Sequence, residues 1–464
     1  MALSSALFSG ISGLSTMGNA MQIIGDNIAN VNTVGFKGST YTFQDLLSQS
    51  TSTMSGTSQV GRGTALGDIY SSFEQGSFES TGNTTDLAIG GAGFFVLREA
   101  ASDNLFYSRA GNFRFDNDGY LINPEGYVLQ GWELDENGED VGSIDDIVLS
   151  SFTSPPQATD KVRVIVNLDS DGDDNSTGSD TSLSEAWDGT ASTPLGESSY
   201  EYQTTMKVYD SLGSTHDVTI YFDKADTDSA YEFIVTCNPD EDTRSATPTS
   251  HTGMLGRGLI SFSSGSGVID DISLSLSDGT GSWSAASLTD GYYTFAPEFI
   301  DSNAMSIQLD FGSRYDGSDW VNGSLSTSQF ARASTTTFQS ADGYGAGDLQ
   351  GVNVDVDGIL TGTYSNGQLI PLYRVGLAKF TNEQGLYKEG GNLFKSTRES
   401  GDAITNRPGT NGLGSIAPNS LEQSNVDIAT EFVKMITTQR GFQANSKIIT
   451  VTDQMLENLI NLKR

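Results

Sequence analysis

Asn19-Ala-Met-Gln-Ile-Ile-Gly-Asp-Asn-Ile-Ala-Asn-Val-Asn-Thr-Val-Gly-Phe-Lys37 is the stretch from which the fold can be read. Into it run apolar residues at Leu3, Leu7, Leu14, Met17, Met21, Ile24, Ile28 and Val31. The steps alternate between four and three once Gly10 fills the missing position. That is a heptad seam, the pattern of a helix that packs lengthwise against other helices. It predicts a helix ending at Val31, because Asn32, Thr33 and Gly35 are helix-ending residues: Asn and Gly tolerate positive φ, and Thr competes for backbone hydrogen bonds. Such a helix, of about 30 residues, would be roughly 45 Å long. Gly10, Gly13, Gly18 and Gly25 each cost it about 1 kcal/mol relative to alanine. Alone it is marginal in water, so its stability has to come from partners.

A partner lies at the far end of the chain. Ile428, Phe432, Met435, Phe442 and Ile449 keep one seven-residue frame, and Ile448, Thr452, Met455, Leu459 and Leu462 keep its neighbour. Together they predict a second helix with a wide apolar face, running almost to Arg464. Ser420 with Gln423, or Ser424 with Asp427, offers a capping-type start. Two amphipathic ends allow two readings: an intramolecular helical hairpin over a core, or faces that meet other copies.

Composition narrows the function classes. The chain has 464 residues, enough for two or three domains. Its 59 acidic and 24 basic residues give a net charge of −35, which argues against nucleic acid and against an anionic membrane surface as partners. No apolar run is long enough to span a membrane, so direct insertion is not expected. The charge is uneven. Residues 1–40 and 421–464 each balance acids against bases, so the whole excess lies between them. Neutral ends suit close self-packing, and an acidic middle suits a solvated exterior. Cys237 is the sole cysteine, which rules out an intramolecular disulfide and reads as a small buried hydrophobe. No basic residue precedes Lys37, so the start lacks the charged end of a secretory signal peptide.

Between the ends the texture is β. Residues 36–80 and 401–420 are polar and weakly periodic, with Pro408 and Pro418 as breakers, and read as connectors. From Gly82 onward, short strands alternate with turn sequences such as Asn117-Asp118-Gly119 and Asn123-Pro124-Glu125-Gly126. Matching hairpin signals return around Gly358 and Asn366-Gly367. Residues 81–157 with 334–400 are therefore expected to form one inner β-domain, because two terminal helices can meet only if the chain goes out and comes back. Residues 158–333 are the insertion, expected to be an outer β-sandwich or barrel. The predicted fold is multidomain and mainly β with terminal α-helices. Residues 1–35 with 421–464 form a coiled-coil inner domain, and the two β-rich domains are nested outside it.

Chemistry is sparse. Asp169, Asp171 and Asp173 sit in a loop that resembles a calcium-binding pattern, but Asp174 stands where glycine is wanted and Asp180 where glutamate is. A solvated acidic loop is favoured about four to one over a cation site. His216 and His251 are isolated, which leaves no zinc constellation. No nucleophile elbow or phosphate-cradling glycine loop is found, so neither catalytic residues nor a cofactor are expected.

Asn27-Ile-Ala-Asn30-Val-Asn32-Thr33-Val-Gly35-Phe36-Lys37 resembles the N-terminal signature of bacterial flagellar rod and hook axial proteins. Ser424-Asn425-Val426-Asp427, then Glu431, Met435-Ile436 and Gln439-Arg440-Gly-Phe442-Gln-Ala-Asn445-Ser-Lys447, is similar to their C-terminal signature. Gly82–Ile89, Gly93–Val96, Ser108–Phe113 and Gly131-Trp132 resemble the hook and distal-rod branch. The resemblance implies a non-enzymatic subunit of a helical homopolymer in a bacterial flagellum, exported without a cleaved signal by the flagellar type III apparatus. It implies contacts with the distal rod, the hook cap and the hook-filament junction proteins. The 158–333 insertion favours the hook, the curved tube that acts as a universal joint in motility, over the shorter distal rod protein. A secreted acidic β-rich binding protein with a helical stalk is the remaining alternative. On this reading Leu7, Leu14, Met17, Met21, Ile24, Ile28, Val31, Ile428, Phe432, Met435, Phe442, Ile449, Met455 and Leu459 are self-assembly residues.

Overall fold

The computed structural model describes residues 2–53, 56–100, 102–135, 138–149, 152–176, 178–244, 249–277, 283–300 and 302–461. The chain is mainly β with a long helix at each end, and it divides into two compact units. The first takes in 1–152, 349–363 and 369–464; the second takes in 153–348 and 364–368.

In the first unit the N-terminal helix, Ala2–Ala29, packs along the C-terminal helix, Ile428–Asn461. Gly10 lies beside Ile449, Gly13 beside Asn445 and Gly441 beside Met17, so the two run antiparallel. The first helix stops two residues before the expected Val31, in a turn of i→i+3 bonds such as Thr33 N to Asn30 O (3.1 Å). The second is capped by Asp427, whose carboxylate accepts from the Thr430 amide at 2.6 Å. Neither Ser420 nor Ser424 caps it. Ser420–Glu422 is instead a strand paired with Phe78–Ser80.

Two connector expectations are corrected. Residues 39–71 form antiparallel ladders, Ser39–Asp45 with Thr64–Ser71 and Gln49–Thr53 with Gly56–Val60. Thr, Tyr and Phe give these segments β-propensity, but both strands of the first ladder are largely exposed, so no buried period marks them. Within 401–420, Ile404–Asn406 pairs with Leu377–Lys379 and Ser415–Pro418 with Leu87–Gly90. These residues complete the inner β-domain. Strands Phe94–Glu99, Leu105–Ser108, Tyr127–Leu134, Ile359–Tyr364 and Leu369–Val375 build the rest of it, around Leu87, Phe95, Leu129, Leu360 and Val375. A second cluster, Phe94, Tyr107, Phe380 and Phe394, consists of edge-packed aromatics.

The second unit is a sandwich of two sheets over one core. One sheet is a meander: Tyr202–Tyr209, Thr215–Lys224, Ala230–Cys237, Met254–Phe262, Ile269–Ser277 and Trp283–Ala285. The other is organised on Lys161–Asp169, which pairs in parallel with Ile307–Asp310 and antiparallel with Thr335–Ala341. Val162, Val164, Val166 and Leu168 face Val208, Ile220, Phe222, Phe233 and Phe311 in a shared core. The unit begins and ends beyond the expected 158–333, because strand Thr335–Ala341 is held here by its register with Val162–Asn167.

Candidate assembly site at the chain termini

The two signature segments converge on a buried polar clasp in the first unit. Lys37 Nζ lies 2.6 Å from Glu422 Oε1, with both side chains 0 % exposed. Arg109 Nη1 stands 3.5 Å from Glu422 Oε2, near enough for charge attraction but without a hydrogen bond. Glu422 Oε1 also accepts from the Gly76 amide at 2.8 Å, and Lys37 Nζ donates to the Glu74 carbonyl at 2.8 Å. Burial pushes the Lys37 ammonium and the Arg109 guanidinium below their ordinary pKa values, and Glu422 opposes the shift in both. Gly35 adopts φ +70, and its amide donates to the Glu422 carbonyl at 2.7 Å. A Cβ there would fall 2.5 Å from the Ala110 amide nitrogen, so glycine is required.

Asparagines tie the same elements together. Asn27 Oδ1 accepts from the Ser39 amide at 2.8 Å, and its Nδ2 donates to the Ser39 carbonyl at 2.9 Å and to Glu431 Oε2 at 3.4 Å. Asn425 Oδ1 accepts from the Gly38 amide at 2.9 Å, while its Nδ2 donates to the Ser72 carbonyl at 2.8 Å. One helix end, one helix start and the hairpin base are thus joined by groups that satisfy one another. Asn30 and Thr33 bond only within their own turn, Asn32 is exposed, and Phe36 lies under the Lys388 ammonium at 5.7 Å. Gln439, Arg440 and Lys447 are exposed, whereas Asn445 packs beside Gly13.

The seam between the helices differs from the heptad reading. The buried positions of the N-terminal helix are Gly10, Gly13, Thr16, Ala20, Ile24 and Asn27, and those of its partner are Glu431, Thr438 and Thr452. Small residues let the backbones approach; Cβ atoms on Gly13 and Gly10 would stand 2.7 Å from Asn445 and 3.2 Å from Ile449. Among the described residues of the fourteen expected for assembly, only Ile24 is fully buried, which takes it out of reach of another copy. Leu7, Leu14, Met17, Met21, Ile28, Val31, Met435 and Ile449 are half-buried. Ile428, Phe432, Phe442 and Met455 are exposed, and the Leu459 side chain lies outside the described residues. Phe8 and Ile11 are exposed too, at 65 % and 52 %, as are Val433 and Ile436.

Glu422 and Arg109 were not singled out by sequence, although Arg109 lies inside a quoted motif. Their signal was weak, since one Glu among 59 acids carries no period. At the acidic loop, Asp169 Oδ1 accepts from the Asp171 amide at 3.0 Å. Among the described residues no group of three His, Cys, Asp or Glu is placed to hold a metal. Cys237 is buried in the sandwich core, where burial pushes its thiol up to about 12.

Helices from both chain ends, clasped together and carrying exposed apolar residues, with β-domains inserted between them, define a subunit of an axial filament. Comparison with known families agrees. Residues 7–37 match the flagella basal body rod protein model, and 417–462 match the flagellar basal body rod FlgEFG protein C-terminal model. Residues 88–172 match the flagellar hook protein FlgE/F/G D1 domain, and 167–344 match the flagellar basal body protein FlaE D2 domain. The flagellar hook protein of Borreliella burgdorferi is 33 % identical over 475 residues, covering 99 % of both chains. That of Treponema pallidum is 32 % identical, again over 99 % of both, and that of Escherichia coli K12 is 30 % identical over 98 % of both. The chain belongs to the flagellar hook protein family. It is a structural subunit of the hook, the curved tube that carries torque from rod to filament, rather than a distal rod protein or a stalked binding protein.

Proposed function

We propose that the exposed apolar residues of the two terminal helices, Phe8 and Ile11 with Ile428, Phe432, Val433, Ile436, Phe442 and Met455, are where one copy of this chain meets the next. The observation that carries the reading is which residues stay exposed: the exposed apolar residues of the two helices are large, whereas the fully buried ones, Ile24 apart, are small or polar. A lone subunit hides little of this surface, whereas a growing tube covers it, and burying each such side chain contributes about 1.5–3 kcal/mol. Residues 1–35 with 421–464 thereby line the inner tube, and the clasp fixes how they leave it. A surface that meets a different surface on the next copy extends without closing, which suits a helical polymer.

The same reading extends to export and to neighbours. The subunit leaves the cell uncleaved through the flagellar type III apparatus and meets the distal rod, the hook cap and the hook-filament junction proteins at the ends of the tube. No helix among the described residues is long and apolar enough to cross a membrane. Replacing Phe432 and Ile436 together by Asp tests the assembly face. The variant is expected to keep wild-type circular dichroism and unfolding of the monomer while forming no polymer by electron microscopy. Polymers of normal length from this variant would sink the proposal.

A further inference from the structure

The second unit holds a group of buried carboxyls that the tube does not explain. The hydroxyl of Ser176 has Asp223 Oδ2 at 2.5 Å and Glu232 Oε1 at 2.7 Å. Asp223 is 0 % exposed and Glu232 3 %. One hydroxyl carries one proton and donates to one acceptor. With both carboxyls ionised, the second contact would set lone pair against lone pair in a site of low dielectric. A further proton must therefore reside on one carboxyl. Asp223 accepts from the amides of Asn175 (3.1 Å) and Ser176 (2.8 Å) and from Asn175 Nδ2 (3.1 Å). Glu232 accepts from the Leu183 amide alone besides Ser176, at 3.0 Å. The donors favour charge on Asp223, so Glu232 keeps the proton and donates it to Ser176 Oγ, which in turn donates to Asp223.

We propose that the proton on Glu232 joins it through Ser176 to Asp223 and so latches residues 173–176 and 178–187 onto the sandwich, tightly in acid and more loosely as the medium turns neutral. The latch closes over a small core of Leu183, Trp187, Leu195, Ile234 and Met254. Arg257, on strand Met254–Phe262, adds a bond to Ser184 Oγ at 3.0 Å. The charges facing Glu232 are Asp223 and Asp174, which repel its ionised form, and Arg257; Glu185 faces Arg257, and Asp226 stands beside Asp174. Burial, helped by the two aspartates and opposed by the bond from the Leu183 amide, pushes the Glu232 carboxyl from 4.5 up to about 7. The closed latch therefore binds its proton more tightly than the open one. Closure is strongest below about pH 4.5, weakens about tenfold per unit above that, and levels off near neutrality.

Hydrogen exchange in the full-length protein tests this, with rates corrected for their intrinsic pH dependence. Between about pH 5 and about pH 7.5, protection of the Ser176 and Leu183 amides is expected to fall roughly a hundredfold. In Glu232→Gln, whose side chain does not titrate, that dependence is expected to vanish. On the unsubstituted protein, the infrared band of a buried protonated carboxyl is expected at the acid end and falls to about a quarter of that by the neutral end. Protection that does not change with pH, a Glu232→Gln variant that keeps the wild-type dependence, or the absence of the infrared band would each overturn the latch.

Discussion

Replacing Glu422 by Gln keeps the shape of the side chain and removes the main negative charge acting on Lys37 and Arg109, leaving the weaker pull of Glu383. Lys37 Nζ stands 2.6 Å away, and neither side chain of that pair is exposed. Arg109 is 2 % exposed, so neither cation can turn to water without opening the core. Removing one partner of a buried pair costs about 3–5 kcal/mol, mostly the burden of the charge left behind. Gln retains an oxygen for the Gly76 amide, which saves a hydrogen bond of about 0.5–1.5 kcal/mol. The expected net loss is about 3 kcal/mol. Guanidinium unfolding of the monomer resolves it: Trp132 lies in the inner sheet of the first unit and Trp187 in the second. The Trp132 transition should move to lower denaturant while the Trp187 transition stays in place. Lys37→Met combined with Glu422→Gln should cost less than the two single changes added together, since neither charge of that pair is then left behind, although Arg109 still loses its partner. A loss below about 1 kcal/mol for Glu422→Gln, or strict additivity of the pair, would refute the account of the clasp.

Three further outcomes follow from named contacts. Gly18→Ala meets nothing within 4 Å and should stabilise the monomer by about 1 kcal/mol through helix propensity, whereas Gly13→Ala must displace Asn445 and should gain nothing; thermal unfolding compares them. Gly35→Ala combines φ +70 with the close approach to Ala110 and should cost about 1–3 kcal/mol in strain before the clash, seen as a lowered unfolding midpoint of the first unit. Cys237, buried and with its thiol held up to about 12, should resist alkylation at neutral pH and react once denaturant opens the sandwich, as counted by mass spectrometry.

Much of this architecture was legible in the residues. Heptad spacing marks both helices, and the turn sequences mark the paired hairpins of the inner domain. The hairpin at 39–71 was not legible, because its Thr- and Ser-rich strands bury too little to leave an alternating pattern. The role of 401–420 was hidden for a different reason: strands of three or four residues, each paired with partners far away in sequence, carry no local signal. Pro418 even reads as a breaker, yet it sits at a strand end, where its missing N–H is tolerated.

By itself, then, the sequence determined that this chain has two helical ends with balanced charge, an acidic β-rich middle and the paired signatures of an axial subunit. The helical ends, the charge balance and the β texture are properties of period and composition, which short windows record; the signatures are a resemblance of motifs to those of a known family. Only the tertiary structure decided which side of each helix is used within the chain. Close approach selects small residues, so Gly10, Gly13 and Ala20 take the intramolecular contact and Phe432 and Ile436 stay exposed, although hydrophobic spacing alone favours the large ones. It also decided that Lys37, drawn from one end, and Glu422, from the other, share a single dry site. That pairing spans nearly the whole chain, and its physical cause is mutual: a buried charge is stable only where its partner has also been buried.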